Sequence, residues 1–209
     1  RGLPQPLTAA AAAADVTAPD ACFMFFGSGN DRQRPVAFAF AESAKDPDWL
    51  VKWSRSEAEP ERGRREHQIR AAISRYPSLS GHISKDLGRL TIAGAPATVE
   101  TVAPGISLDG LRARSGADQA LAVGERVLAW LCDLSVESAV RSSDPEALIV
   151  DQAAALGVDP TGLLAAISDV PRVISHNDLG TVNVLTNGSR FTVIDWEDGL
   201  IEGLPIVDV

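Results

Sequence analysis

Four polar residues stand in otherwise strand-like sequence late in the chain. They are His176, Asp178, Asn183 and Asp195, within VISHNDLGTVNVLTNGSRFTVIDWEDG, residues 173–199. A buried polar group without a partner costs free energy, so strands usually shed such residues. Asp178 and Asn183 lie five apart on a predicted loop leading into a hairpin, and Asp195 ends that hairpin's second strand. A hairpin folds its ends back together, so Asn183 and Asp195 should lie side by side. An Asn carbonyl beside an Asp carboxylate is a hard-oxygen pair suited to Mg²⁺, which binds few protein ligands and several phosphate oxygens. Asp178 could accept the proton of a hydroxyl as that oxygen attacks phosphorus. Taken singly, Asp178, Asn183 and Asn187 read more readily as turn residues; it is their register with His176, Asp195, Lys52 and Glu66 that favours the chemical reading.

The elements that must position these residues can be read from the same pattern. NVLT and RFTVID flank Asn187-Gly188, a hairpin signal because both residues tolerate positive φ. Far upstream, CFMFFGSGN is an apolar run ending in a Gly-rich turn. PVAFAFAES alternates, with Val36, Phe38 and Phe40 on one face and alanines on the other. DWLVKWSR reads as a third strand, with Lys52 inside it and Trp49 and Trp53 as packing residues. Residues 57–76 predict a charged helix after Pro60 whose inner face carries Ile69 and Ile73. Weaker strands near 89–93 and 97–103 precede the breaker pair Pro104-Gly105.

The following stretch is helical. ADQALAVGERVLAWLCDL places Leu121, Val127, Leu128, Leu131 and Leu134 on one broad apolar stripe. Another helix is expected over 145–156, and Asp159-Pro160 is a good N-cap and N1 pair for one running to about Ser168. The alanine run at 9–14 fits a short helix or a flexible lead-in. The order predicts an α+β protein: a lead-in over 1–20, a β-rich unit with one helix over 21–104, and a helical unit carrying the hairpin over 105–209.

Composition narrows the function classes. The chain has 209 residues, 45% hydrophobic and 22% charged, which is globular rather than disordered composition. A formal net charge of -9 argues against a nucleic-acid binder, which needs clustered Lys and Arg for phosphate contacts. If the ligand is a nucleotide, metal ions must offset the repulsion; if it is a cation, the charge helps. The two cysteines, Cys22 and Cys132, exclude a disulfide scaffold and a Cys-rich zinc site, and suit a reducing cytoplasm. No apolar stretch reaches the roughly 18 residues of a membrane helix, and no signal peptide is visible.

The HNDLGTVN octamer followed by IDWE resembles the catalytic loop and metal-binding Asp of the protein-kinase-like superfamily. More narrowly, it resembles the aminoglycoside phosphotransferase and choline kinase group. There the loop reads H-x-D-x-x-x-x-N, matched here by His176, Asp178 and Asn183, and the later Asp precedes an aromatic residue, matched by Asp195-Trp196. The resemblance implies a bilobal fold with Asp178 as catalytic base, Asn183 and Asp195 as Mg²⁺ ligands, and His176 as structural support. It implies a third-strand Lys for the phosphates of ATP or another nucleoside triphosphate, here Lys52, and a helix Glu paired with it. Glu66 matches that Glu, with Glu61 as the fallback and an exposed ion-pair face as the rival reading of Glu66. The backbone of Thr101, Val102 and Ala103 in ETVAPG would meet adenine, and Gly27 and Gly29 of GSGNDRQ would cover the phosphates. Asp208 in PIVDV resembles a family Asp that braces the catalytic loop.

The departures refine what the resemblance implies. Arg32 stands where a kinase G-x-G-x-x-G has its third glycine, and Glu197 follows Asp195-Trp196 instead of Gly. There is no activation segment, so the implied acceptor is a small-molecule hydroxyl rather than a protein. Family members continue with helices that complete the acceptor pocket, whereas 14 residues follow Asp195, so the helical lobe is expected to be truncated. Glu197, Asp198 and Glu202 would suit a cationic acceptor, or simply a solvated loop. Two further readings stand beside the phosphotransferase: a kinase-like nucleotide-binding or regulatory module without turnover, and an interaction domain that binds no nucleotide.

Overall fold

Alternation along the front of the chain produces a five-stranded antiparallel sheet. Its strands are β1 (Ala21–Phe25), β2 (Val36–Phe40), β3 (Trp49–Trp53), β4 (Asp86–Ile92) and β5 (Ala95–Thr101), in the order β1-β2-β3-β5-β4. The computed structural model describes residues 5–26, 34–54, 60–140, 150, 157, 159–167, 169–205 and 208. The period of two divides the sheet into two faces. Ala37, Ala39, Val51, Ala97 and Val99 pack against Leu7, Ala10 and Ala11 of helix α1 (Gln5–Ala14). Of the two readings open for the alanine run, the short helix is the one that forms, packed into the sheet's core. Small side chains on both surfaces let helix and sheet approach closely; a Cβ on Gly88 would fall 2.6 Å from the Ala13 carbonyl oxygen.

The opposite face carries the polar chemistry. Register pairs Val36 with Lys52, Phe38 with Leu50, Lys52 with Thr98 and Leu50 with Glu100, so these side chains share one side of the sheet. Helix α2 (Pro60–Ile73) follows β3 and turns two faces to its surroundings. Glu66 and Arg70 are buried on one, while Ile69, Ala72 and Ile73 enter a second hydrophobic core.

That second core gathers α4 (Ala117–Ser138), β7 (Val173–Ser175), β8 (Val184–Thr186), β9 (Phe191–Val193) and Trp196. Trp130 lies edge-on to Phe191 and Trp196 at 6.0 and 6.1 Å, and its Nε1 donates to the Leu79 carbonyl at 3.3 Å. The stripe of α4 is Ala120, Val123, Val127, Trp130, Leu131 and Leu134. Leu121 and Leu128, expected on it, are 64% and 47% exposed, because each sits one residue, about 100°, off the i, i+3, i+4, i+7 face.

β6 (Ile106–Ser107) pairs with β8 and leads into α3 (Leu108–Ser115), whose first turn is capped by the Ser107 hydroxyl accepting from Gly110 N at 3.1 Å. The backbone passes Thr186 so closely at Gly105, with φ +104°, that a Cβ there would lie 2.0 Å from the Thr186 carbonyl oxygen. Asp159 accepts from Thr161 N at 3.0 Å and starts α5 (Thr161–Ile167). The helix expected over 145–156 falls, residue 150 apart, outside the described residues. β10 (Leu200–Gly203) pairs antiparallel with β7. The architecture is α+β, and among the described residues no helix is long and apolar enough to cross a membrane.

Candidate functional site

The loop from His176 to Asn183 is held from both sides. His176 is fully buried, its ring 4.6 Å from that of Trp196, and its Nε2 donates to the Ile194 carbonyl at 2.8 Å. That fixes the tautomer and leaves Nδ1 to accept from Asp178 N at 3.4 Å. The Asp208 carboxylate accepts from the backbone N–H of His176 and, at 2.7 Å, from that of Asn177. Asn177 is left-handed at φ +63°, and its Nδ2 donates to the Asp198 carbonyl at 3.0 Å. Asn183 Nδ2 donates to the Asp178 carbonyl at 2.8 Å. Asp178 therefore hangs from backbone tied down at both its N–H and its C=O.

The hairpin brings the second acidic residue back to this loop. Ile194 N donates to the Asn183 carbonyl at 2.9 Å, directly beside Asp195. Asp195 itself is left-handed, φ +67° and ψ +51°, which turns the chain sharply as β9 ends and drives Trp196 into the core. A non-glycine residue held in this region costs of order 1–3 kcal/mol and marks functional sites disproportionately. The turn between β8 and β9 uses positive φ only at Gly188; Asn187 instead accepts through its side chain from Ser189 N and Arg190 N at 3.2 and 3.0 Å.

Beside Asp195 lies a buried ion network. Lys52 Nζ lies 3.3 Å from Glu66 Oε1, 3.7 Å from Glu100 and 3.9 Å from Asp195. Arg34 pairs with Glu66, with Glu197 at 2.9 Å and with Asp195 at 3.8 Å. Arg70 pairs with Asp86, with Glu100 at 2.6 Å and with Glu66 at 3.8 Å, and Arg62 holds Glu197 and Asp198 at 3.0 and 2.7 Å. Glu61 pairs with Arg64 at the surface instead of with Lys52. Burial alone would raise the Glu66 carboxyl, but Lys52, Arg34 and Arg70 outweigh it and hold it well below the ordinary carboxylate range. For Lys52 the order is the same: burial pulls its pKa down, and Glu100 and Glu66 more than restore it. Both stay charged through the neutral range. Glu197 moves the other way, pushed up by burial and by Asp195 against Arg34 and Arg62.

Two adjoining clefts open on either side of Lys52. One, about 130 Å³, is lined by Phe38, Leu50, Ser84, Thr101, Val102 and Ala103 among others. The other, about 250 Å³, is lined by Phe25, Arg34, Val36, Lys52, Asp195 and Glu197. Lys52, Val36 and Ile194 belong to both. The structure thus brings Lys52, Glu66 and Asp195 together, and sets Thr101, Val102 and Ala103 on the neighbouring wall. Asp178 and Asn183 line neither cleft and sit on the loop next to Asp195, with Asp208 beneath them. Gly27 and Gly29 lie outside the described residues. Among the described residues, no three His, Cys, Asp or Glu side chains are grouped to hold a metal ion. Asn183 commits its amide nitrogen to the Asp178 carbonyl, so the hard-oxygen donors that this loop and hairpin could offer a cation are Asn183 Oδ1 and the Asp195 carboxylate.

Glu100, Arg70 and Arg34 are the members that motif reading missed. Glu100 had a usable signal: it shares the two-residue period of Lys52's face with Thr98, whose hydroxyl donates to it at 3.1 Å. Arg70 is one helical turn beyond Glu66. Arg34 sits two residues before Val36, on Lys52's side of the sheet, in sequence with no motif of its own. A scan against protein-family models finds no match for this chain, and no curated protein matches it.

Proposed function

We propose that this protein is an ATP- and Mg²⁺-dependent phosphotransferase that delivers the γ-phosphate to a hydroxyl of a small molecule. The fold implied is the bilobal protein-kinase-like one, with residues 21–104 and α1 forming the nucleotide-binding unit and residues 105–209 the catalytic unit. The observation that carries the reading is Lys52. Its ammonium, fixed by Glu66 at 3.3 Å, stands 3.9 Å from Asp195 at the junction of the two clefts. A cation so placed meets phosphate oxygens arriving beside Asp195, and the apolar cleft past Thr101, Val102 and Ala103 has the character of a base pocket.

In this reading, Asp178 accepts the acceptor's hydroxyl proton as the oxygen attacks phosphorus. The ties from His176 and Asn183 fix the Asp178 backbone from which that carboxylate extends. Asn183 and Asp195 would hold magnesium, which when bound neutralises charge on the phosphates. Lys52 adds fixed positive charge in a desolvated place, where it is worth more than in water. Glu197 and Asp198 are engaged by Arg62 at 3.0 and 2.7 Å, so the acceptor class is taken from the small-molecule hydroxyl reading alone, an amino alcohol, an aminoglycoside or a sugar, handled in the cytoplasm.

The test is ATP consumption across a panel of aminoglycosides, amino alcohols and sugars, with wild type beside Asp178→Ala. The expected result is turnover that Asp178→Ala lowers at least about 10²-fold with nucleotide affinity kept. Full activity in that variant refutes the assignment of Asp178, and nucleotide binding without consumption across the panel favours a binding module.

A further inference from the structure

We infer that Arg34 is a second phosphate-binding cation of this site, working with Lys52 to select phosphorylated ligands over unphosphorylated ones. The inference rests on the nucleotide reading above. Arg34 precedes Pro35, whose carbonyl accepts from Trp53 N at 3.2 Å, so its backbone is anchored to the end of β3. Val36 lies opposite Lys52, and the two-residue period returns the Arg34 side chain to the same face. The side chain is 6% exposed, yet it lines the cleft shared by Lys52, Asp195 and Glu197.

Chemistry favours a ligand role for this guanidinium over a purely structural one. Each carboxylate it touches keeps another cation. Glu66 has Lys52 at 3.3 Å and Arg70 at 3.8 Å, Glu197 has Arg62 at 3.0 Å, and Asp195 has Lys52 at 3.9 Å. Arg34 can therefore shift onto a phosphate without leaving a buried carboxylate unpaired, a loss that buried pairs do not tolerate cheaply. Lys52 is a point charge already divided between Glu66 and Glu100, and it alone cannot neutralise a polyphosphate. The planar Arg fork grips two phosphate oxygens at once, which an ammonium does not.

The experiment is calorimetric titration of adenosine, ADP and ATP, in magnesium buffer, into wild type, Arg34→Gln and Arg34→Lys. Wild type should bind ATP and ADP more tightly than adenosine. Arg34→Gln should weaken ATP and ADP by about 10- to 100-fold, the size of a charge-assisted hydrogen bond, with adenosine changed less than about twofold. If Arg34→Gln does not fold, Arg34→Lys, which keeps the charge but loses the fork, carries the same comparison. An equal loss for adenosine and ATP would make Arg34 structural and overturn the inference, as would unchanged or tighter ATP binding. If wild type binds neither adenosine nor ATP, the nucleotide reading itself fails; if wild type binds ATP and the Arg34 variants bind it equally well, the inference alone does.

Discussion

Replacing Glu66 by Ala removes the carboxylate on which three buried cations converge. Lys52 loses its partner at 3.3 Å, Arg34 its contact to Oε2, and Arg70 its partner at 3.8 Å. Breaking a buried pair by deleting one side costs about 3–5 kcal/mol, because the remaining charge is left without compensation. Here the loss is cushioned. Lys52 keeps Glu100 at 3.7 Å, Arg34 keeps Glu197 at 2.9 Å and Arg70 keeps Glu100 at 2.6 Å. That places Glu66→Ala near the low end, about 3 kcal/mol. For a chain of this length each kcal/mol shifts Tm by about 2–4 °C, so a fall of about 6–12 °C is expected. Glu66→Gln, which keeps an acceptor oxygen but no charge, should fall between the two. Urea and thermal unfolding of the three proteins at pH 7 provide the assay. A loss below about 1 kcal/mol for Glu66→Ala, the size of an exposed ion pair, would refute the reasoning.

The same network sets a pH dependence. Glu66 has its pKa lowered in the fold from 4.5, so the stability it contributes is complete above that value and is lost as pH falls below it. Lys52, raised above 10.5, keeps its contribution up to that pH and loses it only as pH rises through the folded value. Glu197, raised by burial, has the opposite sign to Glu66 and partly offsets it. The stability gap between wild type and Glu66→Gln should therefore narrow from pH 7 to pH 3 in urea titrations; a constant gap contradicts the linkage. Gly105→Ala should destabilise by about 3 kcal/mol or more, since it combines a left-handed φ with a Cβ 2.0 Å from a backbone oxygen. A Tm unchanged within about 2 °C, on the same conversion, would show that the chain relaxes freely there.

What the sequence discloses and what it conceals divides along physical lines. Local periodicity gave β2, β3 and α2, because alternation and helical spacing are properties of neighbours. HNDLGTVN and IDWE disclosed a loop and a hairpin end because their polar residues break that periodicity. The alanine run was ambiguous, since propensity alone cannot say whether a face finds a partner; Ala37, Ala39 and Gly88 supply one from distant positions. Strands expected near 89–93 and 97–103 occur at 86–92 and 95–101, a shift set by pairing across the Ala93-Gly94 turn, where both residues take positive φ. Leu121 and Leu128 were misplaced because hydrophobicity without angular position overstates a stripe. Arg34 joins the site only through tertiary packing, and although spacing puts Arg70 on the face of Glu66 and Glu100 on that of Lys52, charged residues in helix or strand sequence usually signify solvent.

The claim that this cleft takes a nucleotide through a magnesium-assisted site is tested most directly by calorimetry of the wild-type chain with ATP, with and without Mg²⁺, beside Asp195→Ala. The account predicts saturable ATP binding that strengthens with magnesium, and loss of that strengthening in Asp195→Ala. Absence of ATP binding at millimolar concentration in either condition, with the protein folded, would contradict it.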